Sequence, residues 1–368
     1  MGTGFQSSEA AVDAGSAFLT EEQVMVRDAA RRVARDVIDK TAALRDRTKA
    51  WPHQELATLA GLGFMGMLLP EDYGGSSMSF MSYCLALEEI SAADCGLGTI
   101  VHVHNMSHYP IARFGTAAQK QQFLPPAARG EKIGAWLLTE PHAGSDTAAI
   151  RTSARREGDS FILNGTKQFI SNGSEAGTAM VVAVTDPAAG KRGVTAFILD
   201  TATPGYKVLR VENKLGQHTA HTAQILLDNV RIPAANVLGT VGGGYALTMS
   251  GLADGRIAIA AQAVGVAQAA LDAAVRYARE REAYGAPIMN LQAVSFSLAE
   301  MATRIEAARQ LYRHAARMLL AGLPCNKEAS MAKLYATEMA ERVCSDALQV
   351  FGGYGYLQDF PVERYCRD

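Results

Sequence analysis

Four short stretches of this chain hold residue types that could do chemistry together. LLTEPHAGSD (137–146) gathers Thr139, Ser145 and the local amides into one loop, a set of donors able to hold the polar edge of a planar heterocycle. GTKQFISNG (165–173) puts Phe169 and Ser171 on one strand face by the period of two, an aromatic wall beside a hydroxyl. ADGR (253–256) sets Asp254 and Arg256 on either side of Gly255, and DALQVFGGYGY (346–356) holds the adjacent Gly352 and Gly353 in a Gly-rich turn. Taken singly, each also reads as an ordinary turn or helix lead, so the signal lies in their order along one chain.

Three other patterns fail for want of context. Gly61, Gly63 and Gly66 satisfy GxGxxG and Glu88 lies where a ribose-binding acid would be sought, but HQELATLAGLGFMG reads as a helix ending in a glycine cap, not as the strand-to-helix turn the motif needs. Gly242, Gly243 and Gly244 are not followed by GK[ST], so they form no P-loop. His102, His104, His108, His218 and His221 come without an HExxH or a cysteine partner, so no metal site is expected.

The elements that must position these stretches fall into three blocks. Thr20-Glu21-Glu22-Gln23 matches a capping box, and helical spacing through Val24, Val33 and Val37 opens an Ala/Leu-rich region. Residues 1–130 therefore read as a helical domain, with breaks expected at Pro52, Pro70, Gly74-Gly75, Pro110 and Pro125-Pro126. From 131 to 235 the runs are β-branched and separated by turns (FILNGTKQFIS, AMVVAVTD, GVTAFILD, QILLDNVRIP), which predicts an antiparallel barrel or sandwich. From 236 to 368 the helical period returns through Ile257, Ala260, Ala261, Val264, Gln268, Leu271 and Val275, with two further helices near 291–320 and 327–350, a pattern that predicts a helical bundle. The fold class is thus α+β and multidomain, as 368 residues would suggest.

Composition narrows the partners. A formal charge of -2 with no Lys/Arg cluster gives no electrostatic footprint for nucleic acid. Five scattered cysteines without a CxxC pair suggest neither a disulfide framework nor zinc, and a reducing cytoplasm fits them. The leader MGTGFQSSEAAVDAG lacks a basic and then apolar signal pattern, and no uncharged stretch of about 18 residues follows, so no membrane insertion is expected.

In this order, with these spacings, LLTEPHAGSD, GTKQFISNG, ADGRIAIAAQAVGVAQAALDAAVRYAREREAYGAPI, DALQVFGGYGY and the closing VERYCRD resemble the acyl-CoA dehydrogenases from about Phe18 to Asp368, the short-chain butyryl type most of all. The resemblance implies an N-terminal helical domain, a middle β domain and a C-terminal four-helix bundle. It further implies FAD, with Trp136, Leu138, Thr139, Ser145, Phe169, Ile170 and Ser171 around the isoalloxazine and ribityl parts. Arg281, Tyr284, Gln292, Gln349, Gly352 and Gly353 would meet the pyrophosphate or adenosine across a subunit boundary. Arg281 is a permanent cation with a fork suited to phosphate, and the paired glycines allow close backbone approach.

By the same resemblance the acyl-CoA substrate lies near Ser145, Asp254 and Arg256, although this chain has Ala253 where short-chain members usually show Asp. The implied reaction is α,β-dehydrogenation to a trans-2-enoyl-CoA, with electrons passed to an electron-transfer flavoprotein and the enzyme assembled as a dimer of dimers. A flavin oxidase or monooxygenase on the same fold, or a non-catalytic flavin or acyl-CoA binding protein, are the alternatives. Gly255 occupies the position of the base in one branch of the family and cannot serve; in the other branch the catalytic Glu falls just after the position of Asp368. No residue within the chain is therefore assigned as the base, and the floor of the acyl pocket is expected around Thr99 to Asn105, including His102, Val103 and His104.

Overall fold

The computed structural model describes residues 18–368, so the reading of the leader lies outside the described residues. Helix α1 (Glu21–Val33) starts at the expected capping box: Thr20 Oγ1 accepts from the Gln23 amide at 3.2 Å and Gln23 Oε1 accepts from the Thr20 amide at 3.1 Å. A π-helical segment (Ala34–Ile38) leads into α2 (Asp39–Thr48), and α3 (His53–Gly61), α4 (Phe80–Ala93), α5 (Cys95–Phe114) and α6 (Ala117–Ala128) follow. Gly63, just past α3, has φ of 82°, the left-handed conformation expected of a helix-ending glycine.

Two of the expected breaks are not breaks. Pro110 lies inside α5, and Pro125 and Pro126 lie inside α6. A proline removes one amide donor and crowds the carbonyl four residues back. Burial along most of α5 outweighs that cost, while in α6 the carbonyls deprived of donors belong to Gln121 and Gln122, both at the surface near the middle of the helix.

The middle of the chain forms one sheet of eight strands. They are β1 (Gly134–Leu137), β2 (Ser153–Glu157), β3 (Ser160–Ser171), β4 (Thr178–Val184), β5 (Val194–Asp200), β6 (Tyr206–Val211), β7 (Thr222–Pro233) and β8 (Val237–Leu238), in the order β6-β7-β3-β2-β4-β5-β8 with β1 also on β4. The expectation of a purely antiparallel sheet is corrected here. β1 runs parallel to β4 from Thr178 to Val181, and β2 meets the same strand in parallel at Val184. The loop 138–152 is thus an excursion between two strands that share one edge of β4, and this is how LLTEPHAGSD leaves the sheet.

Helix α7 (Gly244–Glu280) is 37 residues long, about 55 Å at the helical rise. A short hairpin, β9 (Glu282–Ala283) and β10 (Ala286–Pro287), joins it to α8 (Gln292–Leu320), which is followed by α9 (Asn326–Val350) and α10 (Val362–Arg367). Length and composition alone would let α7 cross a membrane, but its most apolar window is 72% buried within the protein. Of the four helices implied for the bundle, the described residues of 236–368 supply three long ones; α10 has only six residues, and α4 from the first block packs against α7 and α8. That packing is close: a Cβ at Gly265 would stand 2.0 Å from the Glu88 carbonyl oxygen.

Buried polar groups tie the blocks together. Arg45 of α2 bonds Asp94 at 2.8 Å, Asp94 caps α5 through the Leu97 amide at 3.0 Å, and Thr219 from the β6–β7 connection donates to the same carboxylate at 2.9 Å. On α5, His104 Nδ1 accepts from the Gly134 amide at 3.1 Å, fastening the helix to β1, and His108 Nδ1 donates to the His104 carbonyl at 2.9 Å within the helix.

Burial pushes His102 and His108 down to about 4 and His104 well below its ordinary value. The folded protein therefore keeps three neutral imidazoles while the unfolded chain takes up protons from about pH 6.5 downward. This stabilisation is complete above about pH 6.5 and is lost as pH falls toward 4, at about 1.4 kcal/mol per pH unit for each histidine. Urea unfolding at pH 7 and pH 5 should show a lower stability at pH 5, and His108→Leu should flatten the difference.

Candidate active site

The site begins with a buried ion pair. Lys167 on β3 is fully buried and its ammonium donates to Glu140 Oε1 at 2.9 Å, to the Leu138 carbonyl at 2.9 Å and to the Val182 carbonyl at 2.8 Å. Glu140 in turn accepts from the Arg151 and Thr152 amides at 2.7 and 3.0 Å. Burial pushes Lys167 down to about 8; at Glu140 burial acts upward, but the ammonium and the amides outweigh it and hold the carboxyl below its usual value. All three lysine donors are used, and the two ends of the 138–152 loop are locked to the sheet.

One residue beyond Lys167 the strand stops alternating. Its register against β7 shifts between Lys167 and Ile170, and Phe169 has φ of 56°, a left-handed conformation uncommon for a bulky residue. The simple period-two placement of Phe169 and Ser171 on a regular strand face is corrected by this bulge. Phe169 is turned out, 65% exposed, while Ile170 is buried in the sheet core and Ser171 is half-buried. The Gln168 amide donates to the Thr139 carbonyl at 2.8 Å, which places the two sequence stretches side by side. Asn172 secures their end by donating to the Ile100 carbonyl at 3.2 Å and the Gly134 carbonyl at 3.1 Å.

Trp136 joins this group from β1. Its ring lies against α7, where a Cβ at Gly251 would stand 2.5 Å from the indole, and its Nε1 is buried without a protein partner. Leu138 and Thr139 are half-buried beside it, and Ser145 lies exposed farther along the loop. Past Gly251 on α7, Asp254 is buried and pairs with Arg113 at 3.4 Å; burial raises its carboxyl and Arg113 opposes the shift. Arg256 is exposed, so Asp254 and Arg256 occupy different faces of α7. Gly255 has open space around it, the nearest atom to a Cβ there being His102 Nε2 at 3.9 Å.

A second cluster lies wholly in the C-terminal block. Arg281, Gln349, Gly352 and Gly353 line one groove of about 410 Å³ together with Tyr277 and Tyr354. Arg281 stands over the Tyr354 ring at 5.7 Å, and Tyr277 stacks on Phe351 at 4.1 Å. Gly352 has φ of 57° and a Cβ at either glycine would meet nothing within 4 Å, so the backbone is open to a ligand. Tyr284, at the tip of the β9–β10 hairpin, and Gln292, at the start of α8, are exposed and do not line this groove.

These residues fit a dinucleotide flavin in two parts. An indole N–H buried without a partner, a half-buried serine hydroxyl and an outward phenyl ring suit a planar ring system, while a guanidinium beside open glycine backbone suits a diphosphate. Sequence reasoning missed Lys167, Glu140 and Asn172, because a lysine, a glutamate and an asparagine in a turn-rich segment look like surface residues until the sheet closes over them. It also missed the cavity of about 270 Å³ lined by Cys95, Gln217, Gln262, Cys344 and Asp368, where burial pushes the Asp368 carboxyl up to about 6.

Domain models for the acyl-CoA dehydrogenase N-terminal, middle and C-terminal domains match residues 20–131, 135–230 and 242–368, so the chain belongs to the acyl-CoA dehydrogenase family, oxidoreductases acting on the CH–CH bond of acyl-CoA. An acyl-CoA dehydrogenase of Bacillus subtilis (strain 168) is 45% identical, over 95% of this chain and 93% of the relative. The butyryl-CoA dehydrogenase of Megasphaera elsdenii superposes with a TM-score of 0.92 at 40% identity, covering 95% of this chain and 92% of that one. A chain from a structure described for the electron transferring flavoprotein of Acidaminococcus fermentans superposes at 0.93 with 44% identity, covering 95% and 92%. The family is FAD-dependent.

Replacing Lys167 by Met should cost about 3–5 kcal/mol, because Glu140 is left charged and buried without its counter-ion. Denaturant unfolding measures the loss. The double change Lys167→Met with Glu140→Leu should recover part of it, since the stranded charge is removed as well.

Proposed function

We propose that the protein binds FAD and oxidises a short- or medium-chain acyl-CoA at its α and β carbons to a trans-2-enoyl-CoA, passing the electrons to an electron-transfer flavoprotein. The observation that carries this reading is the meeting of Trp136–Thr139 with the bulged Phe169–Ser171 segment, beside the Gly251–Gly255 stretch of α7. When bound there, FAD supplies a two-electron acceptor.

The protein's own part is to hold and polarise. Trp136, Thr139 and Ser171 bring hydrogen-bonding groups, and Phe169 brings a ring face, to the place where the isoalloxazine would lie. Ser145 and Arg256 are open to the CoA part, while Asp254 is engaged by Arg113 and acts on CoA through that partner. Removal of the α proton requires a thioester carbonyl polarised by hydrogen bonds and a carboxylate in reach. Gly255 carries no side chain, so α7 supplies no base at that position.

Among the described residues, those that line the groove at Arg281 all belong to the C-terminal block. That separation supports a cofactor shared between subunits, in a dimer of dimers. Exposed Phe296, Leu323, Met331 and Leu334 on and between α8 and α9 provide apolar surface for the contact. The similarity to the Acidaminococcus chain supports an electron-transfer flavoprotein as acceptor.

Anaerobic addition of butyryl- through octanoyl-CoA to flavin-replete protein that has a carboxylate in reach of the α carbon should bleach the flavin; no bleaching by any member of the series with that carboxylate present would refute the reading. In the shared-site arrangement, Arg281→Met should weaken FAD retention about tenfold or more while leaving the sedimentation coefficient unchanged. A monomer that holds FAD independently of protein concentration would refute the shared site.

A further inference from the structure

Helices α5 and α7 face each other along a polar seam. Cys95, Thr99 and His102 follow one another on α5 at spacings of four and three, and Gly255 and Gln262 lie opposite them on α7. Gln262 Nε2 donates to the Cys95 carbonyl and to Thr99 Oγ1, both at 2.8 Å, which leaves its Oε1 without a partner among the described residues. Gln262 lines the cavity of about 270 Å³ with Cys95, Gln217 and Ile259. Seven residues nearer the start of α7, about 10 Å along the helix, the seam opens at Gly255.

His102 faces that opening. Its side chain is only 8% exposed, and Nε2 stands 3.9 Å from where a Cβ on Gly255 would lie. Its Nδ1 is 2.7 Å from the hydroxyl of Tyr83, which is fully buried and has no other hydrogen-bond partner among the described residues. A buried phenol keeps its proton in a hydrogen bond, so Tyr83 donates and Nδ1 accepts. The proton of the neutral ring is thereby assigned to Nε2, a donor aimed at the space beside Gly255 with no acceptor among the described residues. An imidazole in this tautomer donates a hydrogen bond and does not abstract a proton.

We propose that His102 selects acyl groups that carry an oxygen acceptor, a hydroxyl or carbonyl, at or beyond the γ carbon, over plain alkyl chains of the same size. The γ carbon is the first that can bear oxygen without altering the two reacting carbons. The inference rests on the acyl-CoA reading above and deepens it by naming the substrate class. His102 is a specificity residue here, and the partnerless Gln262 Oε1 continues the polarity of the seam.

The test compares two CoA thioesters of equal size, 4-hydroxybutyryl-CoA and pentanoyl-CoA, by anaerobic calorimetric binding to the flavin-replete wild type, His102→Leu and His102→Gln. Wild type should bind the hydroxy compound more tightly than pentanoyl-CoA. His102→Leu should move that ratio toward pentanoyl-CoA about tenfold, the value of one hydrogen bond, and His102→Gln, which retains an N–H, should keep most of the preference. A general loss of affinity cancels in the ratio. A wild type that prefers pentanoyl-CoA, or a ratio unmoved by His102→Leu, overturns the proposal; if His102→Leu does not fold, the wild-type ratio and His102→Gln decide. Binding needs no turnover, so flavin that neither thioester reduces would count against the dehydrogenation alone, whereas failure of both to bind would overturn the acyl-CoA reading and this inference with it.

Discussion

A single buried ammonium organises the candidate active site. Lys167 has lost its water and can remain in the sheet interior only because three acceptors surround it, one being the carboxylate of Glu140. Two of the three acceptors belong to the start of the 138–152 loop, and Glu140 also holds the amides at the loop's far end. The loop that carries Thr139 and Ser145 therefore has its anchor points set by an electrostatic requirement inside the sheet. The bulge that follows turns Phe169 outward from the same strand, so anchor and site wall lie two residues apart.

The remaining walls depend on close approach. Gly251 lets α7 lie on the Trp136 ring, and Gly265 lets the same helix lie on α4, so one long helix is seated against both the sheet and the first helical block. Asn172, Asp94 and His104 then supply hydrogen bonds where α5 meets β1 and the β6–β7 connection. The bonds made at such boundaries matter because an unpaired buried donor or acceptor costs more than a made bond returns, and His104 Nε2, His108 Nε2 and Asn172 Oδ1 still stay buried without a partner among the described residues. The bonds that are made set the positions of the blocks, while the apolar stripe of α7 supplies most of the driving force.

The two clusters differ in kind. The one at Trp136 and Phe169 is built from strand ends and a helix, rigid and partly enclosed, as a ring system and a reacting thioester require. The one at Arg281 is an open groove of a cation, aromatic rings and glycine backbone, suited to the charged and less demanding end of a dinucleotide. One lies where the start of α7 meets the sheet and the other just past the end of α7, a separation that gives assembly a direct bearing on cofactor binding in the proposed shared arrangement.

Much of the fold was legible without coordinates. The helical blocks followed from apolar spacing, the strands from β-branched runs between turns, and the α1 start from its capping box, because all are local preferences that the chain expresses wherever it lies. The ordered motifs also named the family and most candidate site residues. Local rules misjudged Pro110, Pro125 and Pro126, where tertiary burial or a surface position offset the lost hydrogen bonds, and they misjudged the strand at Phe169, where a bulge interrupts the period. They could not see that β1 and β2 share one edge of β4, that Lys167 and Glu140 are buried together, or that Asp254 turns to Arg113 while Arg256 turns to solvent. Nor could they assign the proton of His102, which depends on Tyr83, nineteen residues away in sequence. Those features rest on which groups meet after the chain has closed, and a hydrogen bond or an ion pair has a partner only in three dimensions.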